Sequence, residues 1–343
     1  MPELRRDPIT GRWVVLAPSR ASRPESLISR GKEEEQSAED CPFCEGHEAM
    51  TPPEVAAVRE GSGPDTPGWQ VRVVPNLFSA FSVDDGPADM SNPLRTYGPA
   101  LGLTEVIIHG PDHHRWLPYL SASHAESIMA TTFARYWQHR VQGVGTVLPL
   151  YNHGSDAGAS LTHPHGQIYA TRLTAPLLDE ELVGAEAARR QLGGCVFCRM
   201  VHEELQAGER VIAESPHFVA ITPWASRSSF ETWIIPRDHQ ADFGMAGEDL
   251  AAALGAFLRG ILWRFTHELG DVPLSWYIHS HPAAAGQALK SYHWHLEIHP
   301  RLQHLAGFEL GTGTYVNTVA PEAAARSLRG LGDPGPEASA PVS

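Results

Sequence analysis

The sequence predicts an α+β fold made of two copies of one unit, and three observations carry that prediction. A set of motifs occurs twice in the same order, the apolar runs between turn signals have strand length, and each copy holds one long amphipathic helix.

Cys41-Pro-Phe-Cys44 opens the first unit, and Cys195-Val-Phe-Cys198 opens the second. Next come QVRVVPNLFSAF from Gln70 and HFVAITPWASR from His217, each an apolar strand run leading into a loop through a proline turn. A second strand follows in each copy: EVIIHGPDH, reaching His113, and TWIIPRDH, reaching His239. Ser123 and Glu126 suit a capping box for a helix running to Gln142, where Gly143 stops it. The counterpart helix is marked by Leu250, Leu254, Phe257, Leu258, Ile261, Leu262 and Phe265, which recur at three and four residues. VLPLYNH and LSWYIHS read as the next strands. Histidine-rich strands then close the units, HPHGQIYA from His163 and HWHLEIHP from His293. The spacing from His113 to His239 is 126 residues and from His163 to His293 it is 130, so the order and the separations agree. Each unit is expected to form an antiparallel sheet with packed helices, the two related by pseudo-twofold symmetry. The expected boundaries are 1–178 and 179–330, with a disordered proline-, alanine- and serine-rich tail over 331–343. Gly31 to Asp40 reads as an acidic surface loop, and Thr171 to Gly194 as a linker with a helix over Leu182 to Gln191.

Composition narrows the function classes. A formal charge of −14 argues against a nucleic-acid surface, which needs a basic stripe, but leaves room for small phosphorylated substrates held by a few arginines. The opening MPELRRDPITGRW lacks the apolar core of a signal peptide, and no run is long enough to cross a bilayer. A cytoplasmic protein without a membrane partner is expected. The four cysteines fall in two C-x-x-C pairs beside 19 histidines. In a reducing compartment such pairs are metal ligands or redox centres more often than disulfides.

The sharpest signal is His163-Pro-His165-Gly166-Gln167. Side chains alternate along a strand, so His163, His165 and Gln167 project to one side. A neutral imidazole is a competent nucleophile toward phosphorus, and an amide can donate to a non-bridging oxygen as charge develops. The alternative is that these histidines simply pack within a strand. The glycine-rich loop NHGSDAGAS directly before the motif favours chemistry, because its backbone N–H groups can close on an anion.

This pattern resembles the galactose-1-phosphate uridylyltransferase family, a duplicated branch of the histidine-triad superfamily. The resemblance runs from RDPITGRW to Pro321. It implies two histidine-triad-like halves and a ping-pong reaction. His165 would attack the α-phosphorus of UDP-glucose, hold UMP covalently and pass it to galactose-1-phosphate, with Gln167 assisting. It further implies phosphate contacts from Arg20 and Arg23 in SRASRPE, a uridine contact from Asn76, and phosphate contacts from Asn152 and Ser160. Leu77 stands where the family has an acidic residue. A homodimer is implied as well.

Cys41, Cys44, His113 and His163 form a plausible zinc set, with His114 as a rival to His113. Duplication predicts a second set from Cys195, Cys198, His239 and His293. The best-known uridylyltransferases instead have an iron-type site, to which Glu181, His279, Glu297 and His299 correspond. Two features bend the pattern toward plant ADP-glucose phosphorylases: the second cysteine pair and the stretch GFELGTGTYVN from Gly307 to Asn317. Those relatives tend to carry serine at the position of Gly166. The expected activity is therefore uridylyl transfer, with an ADP-glucose phosphorylase-like or nucleotide-sugar hydrolase activity as the alternative. A non-catalytic zinc-binding protein is the remaining possibility.

Overall fold

The computed structural model describes residues 3–11, 13–16, 37–83, 88, 91, 94, 95, 97–173, 175–282, 288–332, 334 and 335. Strands β1 (Glu3–Arg6) and β2 (Trp13–Leu16) form an antiparallel pair. The first unit continues with β3 (Ala56–Arg59), β4 (Trp69–Pro75), β5 (Gly102–Ile108), helix α1 (Ala122–Val141), β6 (Thr146–His153) and β7 (His165–Thr171). Helices α2 (Pro176–Leu192) and α3 (Val196–Ala207) lead into the second unit. There β8 (Val211–Glu214), β9 (Phe218–Ile221), β10 (Thr232–Pro236), α4 (Gly247–Leu269), β11 (Leu274–His279) and β12 (His295–Pro300) repeat the series. The chain closes with α5 (Gly307–Thr312), β13 (Tyr315–Asn317), which pairs with β2, and α6 (Pro321–Arg329).

The protein is α+β, and its two units share one antiparallel sheet of ten strands, ordered β3-β4-β5-β7-β6-β11-β12-β10-β9-β8. The strand order in each unit is the same, read outward from a central β6–β11 seam. That seam pairs Leu274 with His153 through to Tyr277 with Leu150. The units are thus fused rather than merely apposed. The boundary expected at 178/179 falls inside α2.

Alternation along the strands sorts the two faces. Ile168 and Ala170 of β7, and Leu296 and Ile298 of β12, point into the main core, which α1 and α4 cover. His165, Gln167 and Tyr169, and likewise His295, Glu297 and His299, point to the opposite face. Helices α2 and α3 cover that second face over the second unit, with Leu178, Leu182, Phe197 and Val201 packed on Val219, Ile221 and Trp233. Over the first unit it is met by the Cys41–Cys44 loop.

Helices α1 and α4 meet backbone to backbone at Gly255, where a Cβ would lie 2.2 Å from the Ala125 carbonyl oxygen. The cap of α1 corrects the sequence expectation. Ser121, not Ser123, is the N-cap, and its hydroxyl accepts from the His124 N–H at 3.2 Å. Starting there places Ala125, Ile128 and Met129 on the buried face. The linker helix α2 also begins earlier than expected, with Pro176 in its first turn, where the missing N–H costs nothing. Among the described residues, no helix is long and apolar enough to cross a membrane.

Candidate active site and metal centres

His165 opens β7, paired with Ile108 of β5, while the ladder to β6 begins one residue later at Gly166. Its Nδ1 lies 2.8 Å from the His163 carbonyl oxygen. A carbonyl only accepts, so Nδ1 carries the proton and Nε2 keeps its lone pair. Burial lowers the pKa of His165 and so favours the neutral ring, an effect that the hydrogen bond to the His163 carbonyl partly offsets. Gly166, on the other face, leaves tight space for a side chain. A Cβ would stand 3.1 Å from His109 Nε2 and 3.3 Å from the Leu150 carbonyl oxygen. Gln167 shares the face of His165 and is half-buried.

Two residues earlier, His163 reaches the Cys41–Cys44 loop. The ligand atoms of Cys41, Cys44, His113 and His163 all lie within 4.8 Å of one another. Nδ1 of His113 is 3.2 Å from Cys44 Sγ, and Nδ1 of His163 is 3.5 Å from the same sulfur and 3.6 Å from Cys41 Sγ. His163 Nε2 donates to the Gly110 carbonyl at 2.8 Å, which leaves its Nδ1 unprotonated and facing the thiols. Burial, together with the neighbouring Cys41, pushes the Cys44 thiol up to about 12. Two thiols crowded at two imidazole lone pairs suit a divalent, borderline-soft cation. These residues fit a metal ion.

The second unit builds the same arrangement. Cys195, Cys198, His239 and His293 also converge within 4.8 Å, with Cys198 Sγ 3.3 Å from His239 Nδ1 and 3.6 Å from His293 Nδ1. His295 repeats the pose of His165, with Nδ1 3.1 Å from the His293 carbonyl oxygen. Its surroundings differ. Glu297 stands where the first unit has Gln167, with a carboxylate oxygen 3.3 Å from His295 Nε2.

Residues 1–175 match the family described as galactose-1-phosphate uridyl transferase, N-terminal domain. The chain belongs to this family. Across the family's breadth, the chain is 33% identical over 334 residues to an ADP-glucose phosphorylase of Arabidopsis thaliana, covering 96% of this chain and 92% of that protein. It is 27% identical to a galactose-1-phosphate uridylyltransferase of Haemophilus influenzae, covering 97% and 95%. A solved structure of the Arabidopsis ADP-glucose phosphorylase with bound ADP-glucose superposes with a TM-score of 0.82 at 32% identity, covering 97% of this chain and 100% of that one. As a galactose-1-phosphate uridyl transferase family member, the chain is an enzyme, a nucleotidyltransferase acting on sugar phosphates.

The iron-type set read from the family pattern needs one correction. Glu181, His279 and Glu297 do converge, but their fourth member is His295, not His299. The register decides it, because His279 of β11 pairs with His295 of β12, whereas His299 lies opposite Ser275. His279 Nδ1 is 3.0 Å from both Glu181 carboxylate oxygens and 3.6 Å from Glu297. His299 falls in a different group with Glu231 and Glu297. There Arg227 bridges Glu231 at 2.9 Å, His299 at 3.1 Å and Glu297, and Tyr277 donates to Glu297 at 2.7 Å. The cysteine set and the carboxylate set therefore coexist and are not alternatives.

Of the remaining family positions, Arg20 and Arg23 lie outside the described residues. Asn76 forms a local turn, its Oδ1 accepting from the Phe78 N–H at 2.9 Å. Asn152 is engaged within the protein. With its amide oriented to satisfy its neighbours, it donates to Ser275 Oγ at 2.9 Å and to the Ala157 and Tyr151 carbonyls, holding the glycine-rich loop against the seam. Ser160 is exposed at the end of that loop. His295, Arg227 and Tyr277 were not singled out from the sequence. Only the repeat, laying His165 on His295, signalled the first of them.

Proposed function

We propose that the chain is a UDP-glucose–hexose-1-phosphate uridylyltransferase that carries UMP on His165. The observation that supports it most is the commitment of Nδ1–H to the His163 carbonyl, which leaves Nε2 as a lone pair on the strand face shared with Gln167. Nε2 attacks the α-phosphorus of UDP-glucose, the N–P bond forms and the bond to glucose-1-phosphate breaks. The phosphate oxygen of galactose-1-phosphate then attacks the same phosphorus and releases His165. The Gln167 amide donates to a non-bridging oxygen in both steps. Arg20, Arg23, Asn76 and Ser160 contact the nucleotide in this reading, on the strength of the sequence pattern. Asn152 acts through the loop it holds.

Both Cys₂His₂ sets are assigned to zinc. Each supplies four protein ligands, which closes the coordination shell and makes the ion structural. In the first set His163 would hold the ion while its backbone carbonyl fixes the tautomer of His165. We further read residues 1–178 and 179–330 as the two units, the location as cytoplasmic, and the assembly as a homodimer.

A second reading, adenylyl transfer from ADP-glucose with phosphate as acceptor, is favoured by the 33% identity to the Arabidopsis phosphorylase. Mixing the metal-replete protein with UDP-glucose alone, quenching in alkali and measuring intact mass tests both. UMP on the His165 peptide, discharged by galactose-1-phosphate and absent in His165→Ala, supports uridylyl transfer. An AMP adduct from ADP-glucose, discharged by phosphate, establishes the second reading. An adduct that water discharges without acceptor makes the enzyme a hydrolase. No adduct from either donor refutes the covalent mechanism.

A further inference from the structure

We propose that Phe43 is a positioning residue for His165: the Cys41–Cys44 loop holds its ring edge-on to the imidazole and fixes the rotamer that presents Nε2. This rests on the reading of His165 as the nucleophile. One hydrogen bond from Nδ1 settles which nitrogen is free, but it leaves the ring able to rock about its Cα–Cβ bond. A second contact is needed, and Phe43 supplies it. The two ring centroids are 5.1 Å apart at an interplanar angle of 63°. The same ring stands 6.1 Å from His163 at 89°, so it is wedged across both histidines of the motif.

Phe43 itself has little freedom. It lies between two cysteines of the metal set, and its N–H donates to Cys41 Sγ at 3.4 Å. Its side chain is buried in the cluster of Trp69, Val74, Val106 and Ile108. A loop that a metal ion would cross-link carries the ring, and the ring carries the nucleophile's orientation. The second unit keeps the contact in a different pose. Phe197, at the same place in the second C-x-F-C segment but in the first turn of α3, stands 5.1 Å from His295 at an interplanar angle of 35°, and His295 Nδ1 again faces the carbonyl two residues back. The pairing persists although Glu297 has replaced the glutamine beside it. A phenylalanine that only filled space under the loop would not have to meet the same ring in both copies.

The test uses Phe43→Ala, Phe43→Leu and Phe43→Tyr in the full chain, each checked for metal content. Two readouts are taken: the ¹⁵N spectrum of His165 without nucleotide, and the rate of adduct formation in a single turnover over a range of nucleotide sugar. Wild type should show one imidazole orientation with Nδ1 protonated, and Phe43→Ala and Phe43→Leu a mixture. The maximal rate should fall about 100-fold in Phe43→Ala, the loss expected for misplacing a nucleophile by about 1 Å, and about 10-fold in Phe43→Leu. The half-saturating concentration should hold, and Phe43→Tyr should restore the rate. A metal-replete Phe43→Ala or Phe43→Leu with the wild-type maximal rate, or a loss confined to half-saturation, overturns the proposal. If Phe43→Ala loses metal, Phe43→Leu decides by the same criteria. If wild type forms no adduct, the nucleophile reading fails instead. The spectrum alone then judges the clamp, and an unchanged spectrum in Phe43→Leu overturns it.

Discussion

Replacing Gly255 by alanine sets two effects of opposite sign against each other on the helix pair that carries the sheet. The new Cβ would stand 2.2 Å from the Ala125 carbonyl oxygen, 2.7 Å from its carbon and 3.0 Å from Met129 Cβ. Ordinary contact begins near 3.4 Å, so α1 and α4 must part by roughly 1.2 Å (3.4 less 2.2) at this point. A gap of that size forfeits a quarter to a half of the local dispersion attraction, and overpacking of this kind costs about 3 kcal/mol. Alanine returns about 1 kcal/mol through its higher helix propensity. The net effect is a loss of about 2 kcal/mol, or a fall of about 4 °C in Tm for a chain larger than most single domains. Thermal unfolding followed by far-ultraviolet circular dichroism of metal-replete protein measures it. A Tm equal to or above that of wild type would mean that propensity wins and that the helices do not meet at Gly255 as described.

Two further outcomes are expected. Glu105 is buried against α1, where Arg135 and His139 hold its carboxyl below the usual value although burial pushes the other way. A depressed carboxylate contributes fully above its unfolded value of 4.5 and loses that contribution as pH falls through the folded one. Glu105→Gln should therefore cost about 3 kcal/mol at neutral pH, and urea titrations should show the gap to wild type closing below pH 4.5. A gap that stays constant with pH would contradict the pairing. Cys44→Ser removes one thiolate from the first set. Metal analysis should fall from about two ions per chain to about one, since structural sites use all four ligands. Unchanged metal content would dismiss this set as a binding site.

Much of the architecture was legible because each central strand is an apolar run bounded by turn signals, and eight such runs became β4 to β7 and β9 to β12. The outer strands β3 and β8 have four residues each and end on Arg59 and Glu214, whereas the equally short β9 is wholly apolar. Helix α3 was hidden by its own cysteines: it begins at Val196, inside the C-x-x-C pair that drew attention as ligands. Ser121 and Ser123 cannot be told apart as caps locally, because the choice depends on which face α4 buries. The cysteine–histidine sets were readable from donor types and the repeat. The partner of Glu181 and His279 was not, because it depends on the register between β11 and β12, which neither strand states alone. Asn152 was read as a ligand contact, while Ser275, directly across the seam, engages its amide.

The β6–β11 seam also constrains how this chain can reach its native state. Its partners are 121 residues apart at the closest pairing, His153 with Leu274, so the central hydrogen bonds of the sheet are among its most non-local. Contacts of that separation are made late and slowly, after a long loop has been closed. Until they form, β6 and β11 each present an unpaired edge, and strand edges are templates for pairing with other chains. Synthesis from the N-terminus exposes β6 first and leaves it waiting for more than a hundred residues to emerge. Aggregation during refolding should accordingly start at β6, and a peptide copying Leu274–His279 should suppress it.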